Sequence, residues 1–219
     1  GAVSNVAMVN VTVVSVNDPP VAINDTASVD EDESVWINVL ANDNDIDGML
    51  NVSSVMIVNT ASYGAVSVNE STGEILYTPD EDFNGNDSFS YTVEDDNGAV
   101  SNEAIVNISV IDVNDPPVAR DDIASCDEDE SVWINVLAND DDIDGVLNVS
   151  SLIVITSPGH GSVDVNMSSG MIRYMPDTNW FGVDSFVYQI ADDDNGMDTA
   201  KVNVTVVSVN DAPVAGFVF

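Results

Sequence analysis

Positive charge is almost missing from this sequence. Among 219 residues only Arg120, Arg173 and Lys201 are basic, against 39 Asp and Glu, which gives a formal charge of -36. A nucleic-acid backbone needs cationic contacts that such a surface cannot supply. The same deficit excludes binding to anionic membranes, so neither nucleic acid nor a charged lipid surface is predicted as a partner.

Cysteine and histidine are equally scarce, with Cys126 and His160 as single examples. One cysteine forms no disulfide within the chain. One histidine supplies neither a zinc set nor a Ser/His/Asp triad, and we expect it to be a surface turn residue. No apolar run approaches the roughly 20 residues that span a bilayer, so no membrane insertion is predicted. The start at Gly1, without a signal sequence or initiator Met, indicates a fragment or a processed product.

The acidic residues that dominate the composition are clustered. About two thirds of the 39 lie in short runs such as Asp30–Glu33, Asp127–Glu130 and Asp192–Asp194, whereas the intervening segments carry Ser, Thr and Asn. A purely solubilising surface would spread its carboxylates more evenly. Clusters of this kind favour specifically bound cations over diffuse salt.

The sequence is an internal repeat. Asn17 begins NDPPVAINDTASVDEDESVWINVLANDNDIDG, Asn114 begins NDPPVARDDIASCDEDESVWINVLANDDDIDG, and Asn210 begins NDAPVA. The period of about 97 residues is the size of a seven-stranded sandwich domain. We therefore predict one repeat over residues 17–113, a second over residues 114–210, and the start of a further first strand over residues 211–219.

Each repeat alternates apolar and polar residues between turn signals and has no helical periodicity. Ser71-Thr72-Gly73 and Asn97-Gly98 are typical of tight turns between strands. The predicted fold is all-β, with two tandem seven-stranded Greek-key sandwiches. We expect Trp36 and Trp133 to be packing residues and not ligand platforms.

Residues 1–16 are left over from this scheme. Their sequence, GAVSNVAMVNVTVVSV, matches residues 98–113, GAVSNEAIVNISVIDV. They are predicted to be an orphan last strand, either from a preceding repeat or exchanged with another chain, because an unpaired apolar β-branched strand is a template for pairing.

Two stretches resemble a known group. Asp112-Val113-Asn114-Asp115-Pro116-Pro117 resembles the cadherin linker, and Tyr77-Thr-Pro with the run from Phe83 to Tyr91 is similar to the tandem cadherin-like, immunoglobulin-like repeats of large bacterial adhesins. The resemblance implies an extracellular, cell-surface location, an immunoglobulin-like sandwich and calcium at the junctions between repeats.

Topology alone leads to a similar expectation. If the seven strands of a Greek-key sandwich are lettered A to G in chain order, the loops A/B, C/D and E/F and the end of strand G share one end, while B/C, D/E and F/G share the other. Acidic loops of the first repeat would then face acidic loops of the second across Asn114-Asp115. Two carboxylates about 4 Å apart repel by on the order of 4 kcal/mol at an effective dielectric near 20, which a cation would relieve. Calcium accepts six to eight oxygens in tolerant geometry and fits best.

The predicted ligands are loop carboxylates and one linker amide: Glu31, Glu33, Asp43, Asp45, Asp47, Asp80, Asp82, Asp95, Asp112, Asn114, Asp115, Glu128, Glu130, Asp140, Asp142, Asp144, Asp177, Asp192 and Asp193. Asn24-Asp25 and Asp121-Asp122, on the first strands, rank behind them. The run from Asp43 to Gly48 matches half of an EF-hand loop, but Ser54 stands at the twelfth position, so a complete EF-hand is rejected.

These features predict a non-enzymatic, calcium-stiffened structural repeat of a surface adhesin or fibre. The alternative is a self-assembling filament subunit, joined end to end by strand exchange or calcium-bridged stacking. Neighbouring repeats or subunits are thus the expected partners, and a cell-surface or carbohydrate target, met by Trp180 or Tyr63, stays open. A glycosidase is the weakest hypothesis, because the carboxylates occupy exposed loops and not a walled apolar pocket.

Overall fold

The computed structural model describes residues 1–211 of the chain. Its regular structure is almost entirely β, and it divides into two units, Gly1–Val113 and Asn114–Phe219. Each unit is a sandwich of one four-stranded and one three-stranded sheet. The predicted fold class, two tandem seven-stranded sandwiches, is confirmed. No helix within residues 1–211 is long and apolar enough to cross a membrane.

Unit 1 contains seven strands. They are β1 (Asp25–Asp30), β2 (Val35–Ile37), β3 (Leu50–Asn59), β4 (Gly64–Val68), β5 (Ile75–Pro79), β6 (Gly85–Asp95) and β7 (Ala104–Ile111). The four-stranded sheet has the order β1-β7-β6-β3, with β1 parallel to β7 and the other pairs antiparallel. The second sheet has the antiparallel order β2-β5-β4.

Unit 2 repeats this arrangement. Its strands are β8 (Asp122–Asp127), β9 (Val132–Asn135), β10 (Ile153–Thr156), β11 (Gly161–Asn166), β12 (Met171–Pro176), β13 (Gly182–Ala191) and β14 (Met197–Val207), with one turn of 3-10 helix at Val149–Ser151. The sheets have the orders β10-β13-β14-β8 and β11-β12-β9. As in unit 1, the first strand, β8, lies parallel to the last, β14.

Each core follows from the period-two alternation of its strands. In β7 the side chains are alternately buried and exposed along its whole length, and Ala104, Val106, Ile108 and Val110 face inward. Buried tyrosines stand at the centre, Tyr77 and Tyr91 in unit 1 and their equivalents in unit 2. Because each sheet turns one face inward, alternation in the sequence is sufficient to specify the core.

Trp36 and Trp133 do not pack in the interior. Trp36 is 52% exposed and Trp133 46% exposed, so the prediction that they are packing residues was wrong. The next residue along β2, Ile37, takes the inward position, and the strand's pleat turns the indole outward. The guanidinium of Arg173 lies 5.6 Å from the ring centroid of Trp133.

Residues 1–16 form no β-strand in the described structure, and their large apolar side chains are exposed. A strand is stabilised by hydrogen bonds to a neighbouring strand, and this segment lies in neither sheet of unit 1. Its assignment as an orphan last strand therefore stays a prediction, as do the predicted repeat boundaries. The further first strand predicted over residues 211–219 lies, apart from Asp211, outside the described residues.

Candidate functional site

The predicted ligands lie at the two ends of each unit. We define the upper end as the one where the chain enters, at Asn17 in unit 1 and Asn114 in unit 2. The lower end is the one where the last strand finishes, at Val113 and Val209. Loops that follow β2 and β6 reach the upper end of unit 1, and the turns that follow β1 and β5 reach its lower end, as the hydrogen bonds below establish.

At the upper end of unit 1, aspartates fasten the incoming chain. The side-chain amide of Asn17 donates to Asp95 Oδ2 at 2.7 Å, and the N–H of Asp18 donates to Asp47 Oδ1 at 3.3 Å. The other oxygen of Asp95 accepts the N–H groups of Asn97 and Ala99, both at 2.8 Å. The Asn17 amide, together with these N–H groups, holds the pKa of Asp95 below its usual range.

The upper end of unit 2 has the same fastening. Asn114 Nδ2 donates to Asp192 Oδ2 at 3.0 Å, and the N–H of Asp115 donates to Asp144 Oδ2 at 3.0 Å. Burial alone would raise the pKa of Asp192, but hydrogen bonds from Asn114 and from backbone N–H groups lower it. Asp192 is fully buried and ionised, and its carboxylate holds the linker by accepting the hydrogen bond from Asn114.

One carboxylate oxygen at the upper end of unit 1 is left without a hydrogen bond. Asp45 Oδ1 accepts the N–H of Gly48 at 3.1 Å, whereas Asp45 Oδ2 is buried and has no hydrogen-bond partner among residues 1–211. A Cβ built on Gly48 would stand 2.7 Å from this oxygen and 2.7 Å from Asp96 Oδ1. Two carboxylates therefore converge over the glycine, and only a residue without a side chain leaves room for them.

Unit 2 reproduces this arrangement. Asp142 Oδ1 accepts the N–H of Gly145 at 3.1 Å, and Asp142 Oδ2 is buried without a hydrogen-bond partner in the part of the chain that is described. Asp193 Oδ1 lies 2.8 Å and Asp142 Oδ2 3.3 Å from the Cβ position of Gly145. Burial raises the pKa of Asp142, and the neighbouring carboxyl of Asp144 raises it further. No salt bridge reaches Asp142 within residues 1–211, so its ionised form lacks a counter-charge there.

Two other predicted ligands turn inward instead. Asp43 accepts the N–H of Ile23 at 2.7 Å and the hydroxyl of Tyr91 at 2.9 Å. In unit 2, Asp140 accepts the N–H of Arg120 and the hydroxyl of Tyr188, both at 2.8 Å. Burial raises the pKa of both carboxyls. Both oxygens of each group are occupied in this way, so these residues connect strands in the structure.

The lower end of unit 1 is organised by Glu31. This residue is 5% exposed, and its Oε1 accepts the N–H of Val113 at 2.6 Å. Asp32 Oδ1 accepts the N–H of Asp82 at 3.2 Å, and carboxylate oxygens of these two residues lie within 4.8 Å of one another. Asp112 Oδ1 accepts from the side-chain amide of Asn84 at 2.6 Å. Four acidic side chains thus lie around the point where the chain leaves unit 1.

The remaining predicted residues of this end are exposed. Glu33 and Asp80 both face solvent, next to turns whose backbone bonds are Glu33 N–H to Asp30 and Asp80 N–H to Tyr63. Neither side chain joins Asp32 and Asp82 in the group of closely spaced carboxylates found among the described residues.

The lower end of unit 2 carries fewer carboxylates. Glu128 is buried and accepts the N–H of Val209 at 2.6 Å, as Glu31 does in unit 1, while Glu130 and Asp177 are exposed. Asn179 stands where unit 1 has Asp82, and Ser208 stands where unit 1 has Asp112. The two lower ends therefore share a backbone anchor but differ in charge.

Some acidic residues were missed by sequence reasoning. Asp96 and Asp32 join the upper and lower carboxylate groups, and alignment of the repeats would have found Asp96 as the counterpart of Asp193. Asp87 is 8% exposed and accepts the N–H groups of Ser62 and Tyr63 at 3.0 and 2.9 Å.

Asp87 also accepts the buried hydroxyl of Tyr77 at 3.1 Å, and Asp184 makes the equivalent contacts in unit 2. Although burial alone would raise their pKa values, the donated hydrogen bonds lower both. These two carboxylates fix the loop that leads into the fourth strand of each unit. No pattern in the sequence indicated this role.

Comparison with known proteins gives two tandem matches to one family. A family model described as "Bacterial Ig domain" matches residues 17–109 and 114–205. Among curated proteins, Protein GAMETE EXPRESSED 2 of Arabidopsis thaliana is 36% identical over 92 residues, which is 42% of this chain and 10% of that protein. Protocadherin Fat 4 of Mus musculus is 25% identical over 221 residues, covering 94% of this chain and 4% of that protein. The chain thus spans at most a tenth of these relatives.

Among solved structures, a human CDH23 fragment comprising EC21-23 matches with a TM-score of 0.52 and 18% identity. The match covers 87% of this chain and 70% of that one. At this identity the likeness shows a common fold of tandem sandwiches.

Proposed function

Since the chain belongs to the bacterial Ig domain family, as two tandem copies, we propose that it is a non-enzymatic structural segment of an extracellular adhesion protein that calcium stiffens. Its relatives are much longer proteins, which is consistent with a spacer role for each repeat. The strands carry the fold, and the acidic ends of the units carry the function.

The observation that supports calcium most strongly is the buried, unpaired oxygen of Asp45 and of Asp142. Each lies beside a second carboxylate, Asp96 or Asp193, in the same position of both units. A buried ionised oxygen without a hydrogen bond costs several kcal/mol unless a cation meets it. Because the arrangement recurs in both units, it is not a peculiarity of a single loop.

The donor set fits calcium better than other cations. It consists of carboxylate oxygens, which calcium binds six to eight at a time, whereas magnesium retains several waters. No cysteine or histidine accompanies them within residues 1–211, which argues against zinc. When bound, calcium would supply the positive charge that these oxygens lack.

Stiffening follows from where the acids lie in the chain. Val113, held by Glu31, is bonded directly to Asn114, held by Asp192. We propose that calcium recruited by acidic groups on either side of this bond restrains the linker, which Pro116 and Pro117 already limit.

The test is thermal unfolding and small-angle X-ray scattering of the full chain with calcium and with a chelator. Calcium should raise the melting temperature and lengthen the maximum dimension. Asp142→Asn should weaken the calcium-dependent rise, whereas Glu70→Gln, which removes one charge from an exposed turn, should not. Identical melting curves and scattering with and without calcium would exclude the proposal.

A second candidate, end-to-end assembly into a filament, is favoured by the exposure of the apolar residues 1–16. Val9, Val11 and Val13 are 83%, 79% and 89% exposed. Deleting residues 1–16 should abolish any polymers that the chain forms, and polymers that persist would show that this segment is not the connector.

A further inference from the structure

We propose that Trp36, on the outer face of the sheet β2-β5-β4 in unit 1, is a docking point for an arginine side chain of a basic partner protein. Neither calcium nor the acidic ends of the units take part in this contact. Unit 2 provides the precedent, because there the equivalent tryptophan already lies beside an arginine of the chain itself.

In unit 2 three side chains form a row across the outer face of the three-stranded sheet. Trp133 on β9, Arg173 on β12 and Asp164 on β11 are directly opposite one another in the strand register. The guanidinium carbon of Arg173 lies 5.6 Å from the ring centroid of Trp133, and Arg173 Nη2 donates to Asp164 Oδ2 at 2.7 Å. This sheet therefore already holds a guanidinium between an indole ring and a carboxylate.

Unit 1 has the indole ring but lacks the arginine. Trp36 lies in one row with Leu76 and Ser67, which stand where unit 2 has Arg173 and Asp164. Trp36 is half-exposed, and no cation lies over its ring within residues 1–211. Residues 1–113 contain no lysine, arginine or histidine, so no side chain of unit 1 can supply one. A guanidinium that covers this ring must come from outside the unit.

A carboxylate for the incoming guanidinium lies beside Trp36. Glu74 directly precedes β5, and alternation along that strand places it on the same face as Leu76. It is therefore the diagonal neighbour of Trp36, at a distance that long side chains bridge. Glu74 Oε2 accepts the hydroxyl of Thr72 at 3.0 Å, and no salt bridge within residues 1–211 neutralises its charge.

A basic protein is the partner whose chemistry fits this face. The chain has a formal charge of -36, so its field attracts basic partners and repels acidic ones. Arginine suits the site better than lysine, because a planar guanidinium stacks on an aromatic ring and is more weakly hydrated than an ammonium group. A second copy of the chain is disfavoured, since it carries the same net charge and only three basic residues.

The first experiment follows the indole N–H signals of the three tryptophans by NMR, in the ¹⁵N-labelled full chain at about 150 mM sodium chloride. The probe is the amide of N-acetylarginine. We expect a saturable shift of the Trp36 signal and a much smaller one of the Trp133 signal, because Arg173 already occupies that ring. Shifts of equal size at the two rings would contradict the proposal.

Reciprocal substitutions provide the matched variants. Arg173→Leu gives unit 2 the residue of unit 1 and should make the Trp133 signal respond to the probe. Leu76→Arg with Ser67→Asp builds the row of unit 2 into unit 1 and should abolish the response of Trp36. A Trp36 response that survives in the folded double variant would overturn the proposal. So would an unresponsive Trp133 in Arg173→Leu, a result that does not depend on whether the double variant folds.

The role of the carboxylate is tested separately. Glu74→Gln should raise the dissociation constant of the arginine probe at Trp36 about two- to fivefold, the range of an exposed ion pair. Glu70→Gln removes the same charge from the turn of the same hairpin and should leave the constant unchanged. Equal effects of the two substitutions would show that Glu74 does not bind the guanidinium.

The second experiment tests the partner. Two lysine-glycine heptapeptides of equal charge are titrated, one with arginine and one with lysine at the central position. The arginine peptide should saturate the Trp36 shift at a concentration about two- to fivefold lower. Equal affinities would reduce the contact to general attraction by the acidic chain and so refute a specific arginine site. Sucrose, a neutral sugar, should leave Trp36 unmoved, and a saturable response to it would assign the ring to carbohydrate instead.

Discussion

Individual carboxylates in this protein have two distinct uses. Some, such as Asp87 and Asp184, are buried and saturated with hydrogen bonds from N–H groups and a tyrosine. Others, such as Asp45 and Asp142, retain a buried oxygen that no donor meets within residues 1–211. Clustering in the sequence did not distinguish the two uses, because the use of each carboxylate depends on which loop folds back over which strand.

Asp184→Asn should destabilise unit 2 at neutral pH. The carboxylate accepts the N–H groups of Gly159, His160 and Ser185, between 2.8 and 2.9 Å, and the hydroxyl of Tyr174. Loss of its charge should lower the free energy of unfolding by about 2 kcal/mol, measured by urea denaturation.

The pH dependence of this effect has a fixed sign. The folded pKa of Asp184 is lowered, so its stabilisation is present above the unfolded pKa of 3.8 and is lost as pH falls through the folded value. The difference between Asp184→Asn and the parent should therefore shrink in acid, whereas Glu70→Gln should be neutral throughout. A pH-independent difference would contradict this assignment.

Asp122→Asn should stabilise unit 2 at neutral pH, whereas Asp184→Asn destabilises it. Burial first, and then repulsion from Asp140 and Asp121, raise the pKa of Asp122 to about 6. A raised carboxyl pKa gives stability that is full below the unfolded value of 3.8 and is lost as pH rises through about 6.

With a chelator present at pH 7.5, Asp122→Asn should thus raise the melting temperature by about 4–8 °C, after discounting for solvent access. The gain should vanish near pH 4. Asp127→Asn, an exposed site on the same strand, is the matched control. Equal melting temperatures for Asp122→Asn and the parent chain at pH 7.5 would refute this reading.

At the level of strands and turns, the sequence was highly informative. Seven strands per repeat follow from alternation between turn signals, and the Ser71-Thr72-Gly73 turn between β4 and β5 is confirmed, with Gly73 at φ +74°. The parallel pairing of β1 with β7 was not predicted, because it joins residues about 80 apart and has no local signal. The acidic ends could be assigned to loops, but not the contacts made inside them.

Gly73→Ala should destabilise unit 1 more than Gly98→Ala. Both glycines have positive φ, so each substitution strains the backbone by about 1 kcal/mol. At Gly73 the added Cβ would also stand 2.7 Å from Leu40 Cδ1, whereas at Gly98 nothing lies within 4 Å. Chemical denaturation should therefore give Gly73→Ala a lower free energy of unfolding than Gly98→Ala. Equal free energies of unfolding would show that the contact with Leu40 relaxes without cost.

For the whole molecule, charge is the dominant property. A chain of formal charge -36 repels itself, and salt relieves such repulsion without selecting a cation. Carboxylate pairs with an unpaired oxygen at the same place in both units require more than screening. Bound calcium is the counter-charge that we propose for these oxygens.

Calorimetric titration of the full chain with calcium, at high sodium chloride to suppress non-specific attraction of cations to the acidic surface, tests this account most directly. We expect saturable binding with a dissociation constant on the order of 0.1–1 mM, the range of extracellular calcium modules. Asp142→Asn should weaken this binding, and magnesium should not replace it. Titration heats no larger than those of dilution, up to several times that concentration, would contradict the proposal that calcium stiffens this chain.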